Sequence, residues 1–158
     1  MENSITWPLL VNVIRRHKLS NTYGFVRDGA ALKPHQGWDL EAKVGSLAYA
    51  IATGTVAFTA NGGAYGKQIC IRFELNGKVL FAFYAHMQHI LVSTGAEVSI
   101  NDQVGTTGKS GNASNLPTAE QHLHFEIRMS PNPGFGLAGR LDPFELYGIC
   151  PLHAPIAG

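Results

Sequence analysis

No stretch of this 158-residue chain carries apolar residues at a sustained helical period, and that absence restricts its fold more than any other feature. Short runs rich in β-branched and aromatic residues take its place, at 47–51, 55–59, 67–73, 78–84, 97–100, 103–107 and 122–128. Turn formers separate them: 18 glycines and 8 prolines are spread along the whole length. Asn61-Gly62 and Asn76-Gly77 fall between such runs and read as hairpin turns. The pattern predicts one all-β, mainly antiparallel domain. Residues 1–20 read as a lead-in, either a short helix or an extended arm. Residues 21–39 read as a loop entering a strand, 108–120 as a polar loop, and 131–158 as a loop-like extension packed on the same domain, with one helical turn near 143–147.

Composition excludes more than it assigns. A formal net charge of +1 with mixed signs lacks the basic face of a phosphate-backbone binder, so no nucleic-acid partner is expected. Near the N-terminus, Glu2 precedes an apolar patch that Asn12 interrupts, and Arg15–Arg16 follow that patch instead of leading it. This is neither a signal peptide nor a membrane span, so synthesis in the cytoplasm is expected. Cys70 and Cys150 stand 80 positions apart with no C-x-x-C partner, which excludes a four-thiolate metal site. Two separate thiols or one disulfide both fit the sequence. Gly108-Lys109-Ser110 hints at a phosphate loop, but Gln103 stands where that motif needs glycine and no helix pattern follows.

The chemistry sits in five side chains. His122 and His124 occupy positions i and i+2 of a strand, so both imidazoles project from one face while Leu123 and Phe125 face the core. Alone, that pair is also compatible with an ordinary polar sheet face. His35 and Asp39, four apart, share a face of either a helix or an extended segment, and Pro34 and Gly37 argue against helix. Two histidines and a carboxylate form a catalytic zinc set that leaves one coordination position open. His86 ends the apolar run VLFAFYAH, beside a sheet face. His17, His89 and His153 match no such pattern and read as surface histidines.

At these residues the chain resembles the LytM/lysostaphin-type zinc endopeptidases of bacterial cell-wall metabolism. NTYGFVR resembles that family's opening motif, with Tyr23 in the aromatic place and Arg27 one position late. HQGWDL carries the H-x-x-x-D signature, YAHM resembles the third block with Ala85 for glycine, and HLHFE matches the H-x-H block. VSTGAEVSINDQVGTTGKSGN resembles the run between the last two blocks.

The resemblance implies a small antiparallel sheet, duplicated-hybrid-motif-like, with a groove above it and its core over residues 21–130. It implies one zinc ion per chain on His35, Asp39 and His124, and His86 and His122 as the catalytic pair, with base and stabiliser not distinguished. The substrate implied is a peptidoglycan stem or cross-link peptide, of the D-Ala-diaminopimelate type. A non-catalytic module that activates another wall hydrolase is the alternative; such modules lack ligands that all stand here. GNASNLPTAEQ is longer than the family's loop before H-x-H, so one groove wall should differ. Tyr84 is either a groove residue or a strand-end aromatic. The tail and the missing signal peptide resemble stand-alone members encoded with type VI secretion systems. That likeness implies a monomeric antibacterial effector acting in the periplasm of a rival cell after specialised secretion, with an immunity protein as partner.

Overall fold

The computed structural model describes residues 4–27 and 33–158. Its strands are β1 Val11–Asn12, β2 Trp38–Glu41, β3 Leu47–Tyr49, β4 Gly54–Gly62, β5 Gly66–Leu75, β6 Lys78–Ile90, β7 Glu97–Val98, β8 Gln103–Thr107, β9 His122–Arg128, β10 Arg140–Leu141 and β11 Ile156–Ala157. Among the described residues, α-helix is confined to α1, Phe144–Tyr147. No helix among them is long and apolar enough to cross a membrane. Of the loop expected at 21–39, residues 28–32 lie outside the described residues, as do residues 1–3 of the lead-in. The rest of the lead-in is extended, with two short 3-10 turns.

Every strand pairing among the described residues is antiparallel. Nine strands form one sheet in the order β10-β9-β6-β5-β4-β7, with β2 also on β9, β8 also on β6 and β3 on β8. β9 is its organising strand. β6 lies along one edge of it, while β2 and then β10 share the other. The hairpin at Asn76-Gly77 is as expected: both residues have positive φ, 51° and 78°, as a two-residue primed turn requires. The hairpin expected at Asn61-Gly62 falls later. Asn61 and Gly62 remain in register with Lys67 and Gly66, and the chain turns through 63–65. The left-handed residues there are Gly63 and Gly66, at 63° and 66°.

The two faces of the sheet differ. Leu123, Phe125 and Ile127 of β9 pack with Trp38, Leu40, Leu80, Ala82 and Tyr84 in the main core. Burying each leucine, isoleucine or phenylalanine side chain among these contributes about 1.5–3 kcal/mol. Tyr84 belongs wholly to that core. Its hydroxyl donates to the Tyr49 carbonyl at 2.8 Å, so it does not line the groove. The opposite face carries a smaller cluster of Cys70, Phe81, Phe83 and Ala85, packed against Phe58 and Tyr65.

The lead-in and tail lie together. Trp7 stacks on Tyr147 at 4.0 Å, Ile14 N–H donates to the Pro151 carbonyl at 2.8 Å, and β1 pairs with β11. Cys70 and Cys150 are free thiols, the first buried on the smaller cluster and the second packed against the main core, so they form no disulfide. Burial pushes their pKa values up to about 12 and about 11.

Candidate metal centre and its groove

Strand register builds the centre. Asp39 on β2 stands directly opposite His124 on β9, and His124 stands opposite Ala85 on β6. Directly opposed residues project from the same face with Cβ atoms about 5 Å apart. Asp39 Oδ1 consequently lies 2.9 Å from His124 Nδ1 and 3.1 Å from His35 Nε2. One donor atom from each of His35, Asp39 and His124 falls within 4.8 Å of the others, and all three side chains are buried.

His35 comes from the segment before β2, where it forms a two-way backbone bridge with Gly24, each N–H donating to the other's carbonyl at 2.8 Å. Its Nδ1–H donates to the Thr22 carbonyl at 2.7 Å, which leaves the Nε2 lone pair aimed at the centre. The Asn21–Arg27 segment is therefore the clamp on His35. Gly37 permits the approach of β2 to β9: a Cβ there would stand 2.2 Å from the Phe125 carbonyl oxygen.

His86 requires a break in the strand. Alternation along β6 places Ala85 on the centre's face and Tyr84 in the core, so an unbroken strand would send His86 to the core side as well. A bulge against β5 and a left-handed backbone at His86, φ 60°, turn its ring toward the centre. Its ring centroid is 5.1 Å from that of His122 and 6.1 Å from that of His124. His122 Nε2 lies 3.6 Å from Asp39 Oδ1. All five expected side chains thus meet, whereas His17, His89 and His153 are exposed.

The long loop before β9 grips both of the remaining histidines by backbone carbonyls. Ser110 O receives His86 Nδ1–H at 2.8 Å, and Glu120 O lies 2.9 Å from His122 Nδ1. Burial, with His122 and His124 nearby, lowers the His86 pKa to about 4. Burial also lowers that of His122, against the pull of Asp39. Both rings are neutral at pH 7.

Sequence reasoning missed the groups that hold these five. Arg15, from the lead-in, sets Nη2 3.2 Å from Asp39 Oδ2 and Nη1 2.8 Å from His122 Nδ1. Arg27 reaches the same Oδ2 at 3.2 Å. One carboxylate oxygen therefore faces the imidazoles while two guanidiniums hold the other. Glu126 is wholly buried and accepts from His124 Nε2 at 2.7 Å. Its other oxygen accepts from Arg128 Nε at 2.7 Å and Arg140 Nε at 2.6 Å. Burial opposes ionisation of Glu126, but His124 and the two arginines outweigh it and lower its pKa to about 2. In the same balance burial works against protonated His124, while bonds to Asp39 and Glu126 raise its pKa to about 9. Glu126 and Arg128 were readable in principle: extending the H-x-H register along HLHFEIR puts both on the same face. Arg15 and Arg140 carry no comparable signal.

The centre forms the floor of an open groove of about 950 Å³. Arg15, Arg27 and Lys33 line it, as do Tyr65, Leu116 and Phe135. Two imidazoles with their outer nitrogens engaged and one carboxylate oxygen turned toward them make a donor set that fits a tetrahedral metal with an open position.

The architecture is a sheet scaffold that brings a candidate metal-binding group, His35, Asp39 and His124, beneath an accessible groove. The chain belongs to peptidase family M23, whose sequence profile matches residues 33–134. It is 29% identical over 100 residues to the peptidoglycan DD-endopeptidase ShyA of Vibrio cholerae, covering 63% of this chain and 21% of that protein. Identity to ShyC of the same organism is 30% over 96 residues, covering 61% and 20%. The chain thus spans about a fifth of the length of these two relatives. Among solved structures, the catalytic domain of lysostaphin from Staphylococcus simulans superposes with a TM-score of 0.62 at 26% identity, covering 81% of this chain and 90% of that one. The catalytic domain of the M23 protein EnpA from Enterococcus faecalis superposes with a TM-score of 0.62 at 27% identity, covering 80% and 88%. The LytM/lysostaphin-type fold expected from the motifs is the fold observed.

Proposed function

We propose that this chain is a zinc-dependent endopeptidase that hydrolyses peptide bonds in peptidoglycan stem peptides or cross-links. The observation carrying this reading is the convergence of His35 Nε2, Asp39 Oδ1 and His124 Nδ1 on the groove floor, beside two further neutral imidazoles. When bound there, zinc supplies a Lewis acid that makes water nucleophilic near neutral pH and polarises a carbonyl oxygen. His35, Asp39 and His124 would hold the ion, with His35 oriented by Thr22 O and His124 by Glu126, and the Asp39 carboxylate would balance part of its charge. His86 and His122 face the same space. With Nδ1–H of His86 committed to Ser110 O, its Nε2 is free to accept a proton. Between them the two rings divide proton acceptance from hydrogen-bond donation to the developing oxyanion.

The D-Ala-diaminopimelate cross-link is the proposed bond, supported by the two Vibrio relatives named as DD-endopeptidases. Digestion of purified sacculi tests the reading. The expected result is about one zinc per chain, release of new peptide fragments seen by mass spectrometry, and loss of release with a chelator. Intact sacculi together with bound zinc would favour a non-catalytic wall-binding module. The proposal extends to action in the periplasm after specialised secretion, with a neighbouring inhibitor protein. Expression behind a periplasmic leader should then lyse cells that tolerate cytoplasmic expression.

A further inference from the structure

We propose that Phe135 is a specificity-determining residue, whose ring at the groove rim takes the aliphatic side of a stem-peptide residue a few positions from the scissile bond. This rests on the peptidoglycan-peptide reading above. The M23 match ends at residue 134, immediately before Phe135.

Phe135 is 84% exposed, an unfavourable setting for a large aromatic side chain. The backbone nonetheless holds it there on both sides. Arg140 Nη1 donates to the carbonyls of Gly134 at 2.6 Å and Gly136 at 2.8 Å, and Gly136 N–H donates to Gln36 Oε1 at 2.7 Å. Gly134 and Gly136 have φ of 82° and 104°, which suits glycine on either side of the ring. The anchors are themselves fixed by the metal centre. Arg140 is buried on Glu126, which holds His124, and Gln36 Nε2 donates to Glu126 at 3.3 Å and to the Tyr65 hydroxyl. An aromatic side chain in water on a loop this constrained is preorganised for contact.

Its position sets what it can touch. The Phe135 ring stacks with Tyr65 at 6.2 Å, and Tyr65 stacks with His124 at 6.0 Å. At roughly 3.3 Å per extended residue, those two spacings place Phe135 within about four substrate residues of the carbonyl under attack. Its chemistry selects the class of group. Arg128 and Arg140, the cations that hold this loop's carbonyls, are committed to Glu126, so the group the loop presents is the aromatic ring. Free guanidinium surface lies instead near Asp39, at Arg27. The Phe135 end therefore suits methyl and methylene groups, and the arginine end suits carboxylates.

The test uses the zinc-loaded full chain carrying His122→Ala, so that binding is measured without turnover. A purified cross-linked tetrapeptide dimer is titrated calorimetrically into this protein and into versions also carrying Phe135→Ala or Phe135→Trp. The expected result is an affinity about tenfold weaker for Phe135→Ala and within about twofold of the parent for Phe135→Trp, with zinc content and melting temperature unchanged. With His122 restored, Phe135→Ala should raise KM for the dimer and leave kcat within about twofold. Equal affinity of the Phe135→Ala protein, where the parent binds, overturns the inference alone. Absence of any binding by the parent overturns it together with the substrate reading.

Discussion

Asp39 and His124 face each other across β2 and β9, and the 2.9 Å between Oδ1 and Nδ1 follows from their being register partners. The proposed ligand set depends on that register, whereas His86 and His122 lie beside it. Asp39→Ala should therefore lose zinc. His122→Ala should retain zinc and lose at least about 100-fold in turnover. Metal analysis of both purified variants, with sacculus digestion, checks the split; equal loss of zinc would refute it.

Arg15 makes a second prediction. It holds Asp39 Oδ2 and touches His122, so Arg15→Ala should weaken zinc binding about 10- to 100-fold without unfolding the sheet. Arg15→Lys should not rescue, because one ammonium cannot serve both partners in the guanidinium's geometry. Competition against a zinc chelator reads the affinity, and unchanged affinity in both variants would count against the role.

Gly37→Ala tests the contact that seats β2. The new Cβ would meet a backbone oxygen at 2.2 Å, and backbone cannot move aside cheaply. Expected are a loss of about 3 kcal/mol in denaturant unfolding and reduced zinc occupancy. Wild-type stability would show that β2 can shift without cost.

The pH dependence has a definite sign. In the metal-free protein the His124 pKa is raised from 6.5 to about 9, so its stabilising contribution is complete below pH 6.5 and is lost as pH rises through about 9. Metal requires the unprotonated nitrogen, so zinc uptake at pH 7 should release about one proton, falling to about half as pH reaches about 9. Calorimetry in buffers of different ionisation enthalpy measures this. Uptake without proton release at pH 7 would contradict it.

Glu126→Gln should be costly because the carboxylate serves four partners, His124, Gln36, Arg128 and Arg140. Removing its charge leaves Arg128 and Arg140 buried without their counter-ion, at about 3 kcal/mol or more. Thermal melting measures the loss, and a variant as stable as the parent would show that the arginines find other acceptors.

Much of this is legible in the sequence itself. Strand β9 shows its alternation openly, because Leu123, Phe125 and Ile127 against His122 and His124 leave one period that fits. His35 and Asp39 were findable because four residues span one short segment. Arg15 and Arg140 were not, since a charged side chain gives no local sign that it will be buried by a carboxylate 24 or 14 residues away. His86 was placed by its motif, while the bulge that aims it depends on pairing with β5, a long-range property. The hairpin near Asn61-Gly62 was misplaced for a similar reason: the ladder with β5 continued past the expected turn. The choice between thiols and disulfide was likewise decided by the sheet, which separates Cys70 from Cys150 by face.

The small ribbon of β1 and β11 has a reach beyond its four residues. It fastens the tail to the segment that delivers Arg15, and Pro151 O holds the N–H of Ile14, the residue immediately before it. Trimming or fusing the chain after Cys150 would thus slacken the guanidinium behind Asp39. Damage at the far tail would surface as poor metal retention, in a protein whose ligands are all intact.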